Sequence, residues 1–130
     1  MRRVAITGAG TVNALGPSVG ATWAAMREGR CAIAPLDLRD AARLSAKIGA
    51  QVTGWQAEAL FDHQKLQLCD RFTLFTLAAA RQAVAQSGLD LAGPAGEAGG
   101  VIFGTAAGGL GTSDDGYRAV YEEGRARVHP

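Results

Sequence analysis

Residues 70–88 read DRFTLFTLAAARQAVAQSG and have the features of one long helix with defined ends. Asp70 is a helix N-cap type, because its carboxylate accepts hydrogen bonds from the first free backbone N–H groups. Gly88 stands where a helix closes through a left-handed residue. Between these ends an apolar stripe recurs at helical spacing, through Phe72, Phe75, Leu77, Ala79, Ala80, Ala83 and Val84. The pattern predicts a helix covered over most of its circumference, which requires a sheet and a further layer around it.

Short apolar runs on both sides of this helix predict the other elements of an α/β fold. Strands are predicted at residues 3–8 (RVAITG), 47–52 (KIGAQV) and 100–104 (GVIFG). Helices are predicted at residues 19–28 and 112–124 and a helical turn at 57–61, with a connector at 31–40 and a loop at 90–99. Trp23 and Met26 are expected on the buried side of the first helix. Thr112 or Ser113 is expected to cap the last one.

The order of these elements favours a sheet with parallel strands. Two central strands and a marginal third cannot cover both faces of residues 72–84, because parallel sheets need helices on both sides. The sequence therefore predicts an unfinished architecture without an internal domain boundary in residues 1–130. It is expected to be the N-terminal part of a larger protein, or a piece completed by another chain.

Composition excludes several classes of protein. A hydrophobic content of 48% with 19% charged residues argues against disorder. A formal net charge of +1 gives no footprint for nucleic acid or a membrane surface, and no apolar run reaches the ~18 residues of a membrane span. Cys31 and Cys69 show neither metal-ligand spacing nor a disulfide framework. We therefore expect a cytoplasmic protein without a metal site.

The segment after the first predicted strand, GAGTVNALG, begins like a dinucleotide-binding turn. Gly8 and Gly10 match the start of that pattern, but Asn13 stands where the third glycine belongs. Glu28 has the spacing of a ribose-binding acid, yet it lies at the end of a predicted helix rather than of a strand. A plain strand-to-helix turn is the preferred interpretation, and a nucleotide-binding α/β module remains an alternative.

Four segments together carry a resemblance to a known family: RRVAITGAGTVNALG, TWAAMREGR, DRFTLFTLAAARQAVAQSGL and GGVIFGTAAGGLG. In this order and spacing the sequence resembles the start of the β-ketoacyl-acyl-carrier-protein synthases, the condensing enzymes of fatty-acid and polyketide synthesis. The resemblance covers residues 3–130, about the first third of such an enzyme. It implies the N-terminal part of a thiolase-like fold, layered αβαβα and incomplete in this chain.

The resemblance also implies a chemistry, a decarboxylative Claisen condensation of an acyl chain with malonyl-acyl carrier protein. The family uses a cysteine nucleophile and two histidines, which lie further along than residue 130, and it needs no cofactor. No catalytic residue is therefore expected in this chain, and this span alone is expected to be inactive. Cys31 and Cys69 are interpreted as packing thiols, and His63 and His129 are not expected to be catalytic.

One segment resembles a functional region of the family. Thr105, Ala106, Ala107 and Gly108 resemble a loop that lines the acyl-binding pocket. Ala107 stands where many relatives carry a larger apolar side chain, so a longer or bulkier acyl chain is expected. A tight glycine turn at the end of a strand is the equal alternative.

The carrier protein is the partner that the resemblance implies. It is acidic, so its docking face should be basic, and Lys65, Arg125 and Arg127 are the candidates. A solvated helix end is the equal alternative for the two arginines. The enzyme is expected to be a homodimer or a ketosynthase-like heterodimer. A non-catalytic partner subunit of the chain-length-factor type is the other open interpretation.

Overall fold

A computed structural model describes residues 3–127; His129 lies outside them. Within this range the chain forms helices and one small hairpin, with 3₁₀ turns at Ala41–Arg43 and Ala57–Ala59. The elements in chain order are α1 (Val19–Arg27), β1 (Ile33–Pro35), β2 (Ile48–Ala50), α2 (His63–Leu68), α3 (Arg71–Ser87), α4 (Pro94–Glu97) and α5 (Leu110–Tyr121).

The long helix α3 begins and ends where its capping residues predict. Asp70 is the N-cap, and its carboxylate accepts a hydrogen bond of 3.3 Å from the backbone N–H of Phe72. Gly88 is the C-cap with φ 68°, a left-handed conformation that costs glycine no steric clash. The predicted boundaries of this helix are confirmed, because both ends are specified by residues within the segment itself.

The buried side of α3 differs from the prediction. Leu74 and Ala78 are 5% and 4% exposed and form the core with Phe61, whereas Phe72 and Phe75 on the predicted stripe are half-buried. The reason is that the segment before α2 packs against the cluster of Phe61, Leu74 and Ala78. Trp55 in that segment meets the ring of Phe75 edge-on, with 4.9 Å between the ring centroids.

The strands predicted at residues 3–8 and 100–104 form no ladder within the described part of the chain. Val4 and Ile6 are 94% and 92% exposed, and Val101 and Ile102 are 96% and 102% exposed. A β-strand is defined by hydrogen bonds to a neighbouring strand, and the β-propensity of its own residues cannot provide that neighbour.

One antiparallel hairpin is formed instead. β1 pairs with β2, with Ile33 opposite Ala50 and Pro35 opposite Ile48. The prediction for residues 47–52 is thus confirmed over its central part. The prediction of a plain connector at residues 31–40 is wrong, and so is the expectation of parallel pairing for the sheet that the described residues build.

Helix α1 forms as predicted, with Ser18 as its N-cap, but it buries a different side. Ala25 is fully buried, whereas Trp23 and Met26 are 61% and 57% exposed. Their assignment to the buried side is wrong, because the described part of the chain leaves both side chains more than half exposed. The short helix α4, within the predicted loop at residues 90–99, was not predicted.

Helix α5 begins earlier than predicted. Gly109 is its N-cap with φ 86°, so Thr112 and Ser113 lie inside the first turn and do not cap it. The hydroxyl of Thr112 instead donates a hydrogen bond to the carboxylate of Asp70. Asp114 and Asp115 consequently fall beyond the first turn, where they serve ion pairs rather than the helix end.

The chain leaves an unusually large surface uncovered. Its accessible surface is 10405 Å², against about 6,500 Å² for a compact protein of its mass. The difference exceeds the roughly 800 Å² that one partner contributes to a standard protein interface. None of the helices formed by residues 3–127 has the length and apolarity to cross a bilayer.

Candidate functional site

The first glycine-rich segment lies directly on α3. A Cβ atom built on Gly8 would be 2.0 Å from the carbonyl oxygen of Ala83, and one on Gly10 would be 1.8 Å from that of Ala79. The small residues of α3 therefore allow a backbone-to-backbone approach that any side chain would block. These glycines serve helix packing.

Two glutamine side chains of α3 bind the same segment. Gln86 accepts a hydrogen bond of 2.6 Å from the backbone N–H of Ala9, and Gln82 accepts one of 3.2 Å from that of Thr11. Backbone N–H groups that bind a phosphate must be unoccupied. Since these two are taken, the structure favours a plain turn that leads towards α1 over the nucleotide-binding interpretation.

Asn13 holds the end of this segment. Its amide nitrogen donates to the hydroxyls of Thr11 and Thr22 at 3.1 and 2.9 Å, and its Oδ1 accepts from the backbone N–H of Leu15 at 2.8 Å. The residue that breaks the dinucleotide pattern thus joins the turn to α1.

The second glycine-rich segment, with Thr105, Ala106, Ala107 and Gly108, lies against the start of α3. Thr105 Oγ1 accepts a hydrogen bond of 3.0 Å from the backbone N–H of Gly108, which closes the loop on itself. Ala106 and Ala107 are exposed. The four residues form one compact turn between the extended residues 100–104 and α5.

A cleft of about 840 Å³ lies between α2, the first turn of α3, and α5. Its apolar lining consists of Leu66, Leu68, Cys69, Tyr117, Val120 and Tyr121. Gly109 also lines it, so the end of the glycine loop reaches its rim, whereas residues 105–108 are not part of this lining. The volume lies in the range of small-molecule sites, about 300–1,000 Å³.

Two of the three candidate docking cations are paired with a neighbouring acid. Lys65 Nζ lies 2.7 Å from the Asp62 carboxylate, and Arg125 Nε lies 2.8 Å from that of Glu123. The hydrogen bond from the Lys65 side chain lowers the pKa of the Asp62 carboxyl from its ordinary 3.8. Arg127 is exposed. The structure places Lys65 on α2 and both arginines after α5, the two helices that flank the cleft.

The remaining candidates are scattered. Cys31 is exposed after α1, and Cys69 is half-buried at the cleft just before Asp70. His63 is exposed on the first turn of α2. Among residues 3–127, no cluster of three or more histidine, cysteine or acidic side chains is arranged to hold a metal ion.

The residues that hold the second glycine loop in place were not predicted from the sequence. Phe103 stacks on Phe72, with ring centroids 6.4 Å apart and 15° between the planes, and Thr112 binds Asp70 on the other side of the loop. Asp70 and Phe72 were expected only as parts of a helix. The glycine at position 108 was the available signal, because it indicates close approach of another group.

Comparison with known proteins gives consistent matches along the chain. The family model described as "Beta-ketoacyl synthase, N-terminal domain" matches residues 1–130. A 3-oxoacyl-acyl-carrier-protein synthase 2 from Coxiella burnetii is 31% identical over 129 residues, which cover 99% of this chain and 31% of that protein. Nodulation protein E from a Rhizobium species is 35% identical over 127 residues, covering 98% and 31%.

The fold has a counterpart among solved structures. The crystal structure of a β-ketoacyl synthase from Burkholderia phymatum matches with a TM-score of 0.72 and 25% identity, over 96% of this chain and 31% of that one. This likeness confirms the predicted fold class, an α/β N-terminal part of a thiolase-like fold. The chain spans 31% of the length of the synthase from Coxiella burnetii and of nodulation protein E.

Proposed function

The chain belongs to the β-ketoacyl synthase family, of which it is an N-terminal domain, and from this we propose that it serves a condensing enzyme of fatty-acid or polyketide synthesis. The reaction is the decarboxylative Claisen condensation of an acyl chain with malonyl-acyl carrier protein. The observation that carries the proposal is the likeness of nearly the whole fold to a solved β-ketoacyl synthase. The uncovered surface supports it, because a domain of this kind needs further protein around it.

In this reaction an enzyme thiolate first attacks the thioester of an acyl-carrier protein, so that the acyl group moves to the enzyme and the carrier protein's thiol leaves. Loss of CO₂ from the malonyl thioester leaves an electron pair on carbon, which attacks the acyl carbonyl, and the enzyme thiolate then leaves. Hydrogen-bond donors must face the oxygen on which charge develops. We assign none of these catalytic groups to residues 3–127, whose share of the work is to shape the acyl-binding site.

We assign the acyl-binding role to the loop of Thr105, Ala106, Ala107 and Gly108. Support comes from its compact turn and from the exposed methyl group of Ala107, which leaves open space where a larger side chain would protrude. Gly109 connects this loop to the rim of an apolar cleft of suitable size.

We further propose that the acyl carrier protein docks near Lys65, Arg125 and Arg127. The support is that Lys65 lies on one of the two helices that flank the cleft and both arginines follow the other, together with the acidic character of carrier proteins. The ion pairs of Lys65 and Arg125 must open or be shared when the partner binds. We propose a cytoplasmic dimer, either of identical subunits or with a ketosynthase-like partner.

The test uses the purified product of the complete reading frame. Acyl- and malonyl-carrier protein are supplied together, and the β-ketoacyl product and released CO₂ are measured. Condensation supports the proposal. Decarboxylation without condensation would assign the protein to the non-catalytic partner subunits, and absence of both activities would overturn the proposal.

A further inference from the structure

The glycine loop assigned to acyl binding is anchored on both sides by the first turn of α3. Before the loop, the ring of Phe103 stacks on that of Phe72 at 6.4 Å between centroids. After the loop, the hydroxyl of Thr112 donates a hydrogen bond to the carboxylate of Asp70. The residues before and after the loop therefore both contact the same turn of α3.

Between these anchors the backbone of the loop rests on the Phe72 ring. A Cβ atom built on Gly108 would be 2.7 Å from both Cδ2 and Cε2 of that ring. Such a distance is closer than carbon atoms can approach. Gly109 follows with φ 86°, and a Cβ atom there would be 3.8 Å from the Asp70 carboxylate. The Phe72 ring thus limits how closely the backbone at Gly108 can approach the first turn of α3.

Asp70 joins two helix starts through one carboxylate. Oδ1 accepts the N–H of Phe72 at 3.3 Å and caps α3, while Oδ2 accepts the Thr112 hydroxyl in the first turn of α5. Hydrogen bonds to an ionised acceptor are stronger than neutral ones. Because a carboxylate is planar and rigid, the two helix starts, and the loop that leads into α5, keep a defined relation.

We infer that Asp70, Phe72 and Thr112 are positioning residues that set the shape of the loop at residues 105–108 and thereby the selectivity for acyl-chain length. The inference rests on the acyl-binding role proposed above for this loop. The ligand class is the aliphatic acyl group of a thioester. None of the three residues has to touch the reacting atoms for this role.

The test compares Thr112→Val, which removes the hydroxyl at nearly constant volume, with Thr112→Ser, which keeps it. Ser113→Ala, which removes an exposed neighbouring hydroxyl, is the matched control. In the product of the complete reading frame, two quantities are measured. One is the ratio of kcat/KM for palmitoyl- and butyryl-carrier protein, and the other is amide hydrogen exchange of residues 104–109.

We expect Thr112→Val to change the ratio by about threefold to tenfold and to speed exchange in the loop. Thr112→Ser and Ser113→Ala should leave both quantities as they are. Gly108→Ala is a second variant, because its methyl group must displace the Phe72 ring and should change the same ratio. An unchanged ratio and exchange in both Thr112→Val and Gly108→Ala would overturn the inference.

The outcome separates this inference from the function on which it rests. If Ala107→Phe changes the ratio while Thr112→Val and Gly108→Ala leave both the ratio and the exchange unchanged, the acyl-binding role stands and the positioning role is refuted. If the unchanged protein does not condense acyl groups at all, the proposed function is refuted, and the selectivity inference with it. Hydrogen exchange would then report only whether the loop is anchored as described.

Discussion

Gly10 lies against α3 so closely that a Cβ atom built on it would be 1.8 Å from the carbonyl oxygen of Ala79. Neither group is a flexible side-chain end that could move away. The distance between this loop and α3 therefore depends on residue 10 being glycine.

Gly10→Ala should lower the free energy of unfolding by about 1–3 kcal/mol, because backbone must shift to admit the methyl group. Gly20→Ala is the matched control, since no atom lies within 4 Å of a Cβ atom built there. Alanine in α1 should raise the free energy of unfolding by up to about 1 kcal/mol. Urea unfolding of the complete protein measures both. Equal midpoints for the two variants would contradict the close contact.

Ala107→Phe should remove a preference for long or bulky acyl chains, because the ring would fill space that the methyl group leaves open. The measurement is the product profile with acyl-carrier proteins of increasing chain length. Ala106→Ser, a small change at the neighbouring exposed position, is the control. An unchanged profile in Ala107→Phe would leave this turn with a purely structural role.

At the scale of elements, what could be predicted depends on how local the determinants are. The ends of α3 were predicted because Asp70 and Gly88 act on backbone groups within one turn. The strand pairing was not, because the partner of a strand lies far away in sequence. The prediction of the buried side of α1 was wrong for a related reason. Trp23 is apolar, but no distant segment among the described residues covers it, and it is 61% exposed.

The hairpin loop, residues 36–47 between β1 and β2, is connected to α5 by ion pairs. Arg118 contacts Asp40 of that loop at 3.3 Å, and Asp114 and Glu122 of its own helix at 2.9 and 3.9 Å. Hydrogen bonds to Asp114 and Asp40 raise the pKa of the Arg118 guanidinium above its usual range. Arg39 adds a second pair to α5, with Asp115 at 3.4 Å.

Arg118→Ala should release this loop, since one cation serves both elements. Trypsin should then cleave after Arg43 several times faster. The free energy of unfolding, measured in urea, should change by less than about 1 kcal/mol, because the ion pairs are largely exposed. Arg125→Ala, which loses only a pair to nearby Glu123, is the control. Equal cleavage rates in both variants would refute the tie.

The start of α2 should depend on pH. Its cap Asp62 accepts from the N–H of Lys65 at 2.9 Å, and its pKa lies below the ordinary 3.8 in the folded state. A carboxyl group whose pKa is lowered in the folded state stabilises the fold when the pH is above the group's ordinary pKa. That contribution is lost as the pH falls through the lowered pKa. The amide resonance of Lys65 should follow this titration. Asp62→Asn keeps a capping oxygen and should abolish it; persistence of the titration would contradict the assignment.

For the whole molecule, the uncovered surface is the dominant property. The family-level function could be predicted because four segments in register carry it, although the site residues could not be arranged in space from sequence alone. Contacts such as Phe103 on Phe72 depend on where two distant segments meet.

Residues 1–130 alone should be marginally stable, with amide exchange in α3 far faster than in the complete protein. The reason is that Leu74 and Ala78, still 5% and 4% exposed, are the only buried residues of α3 within the part of the chain described. Exchange followed by mass spectrometry on both proteins is the measurement. A well-folded soluble monomer with high protection throughout α3 would contradict the need for further covering protein.

The two tryptophans occupy opposite environments, and this gives the molecule a built-in optical readout of its own assembly. Trp23 is 61% exposed, whereas Trp55 packs against Phe61 and Phe75. Emission from Trp23 should be quenched by iodide and shift to the blue as neighbouring polypeptide covers α1, while emission from Trp55 follows unfolding of the α3 core. With Trp23→Phe and Trp55→Phe, docking and folding could be timed separately by light alone.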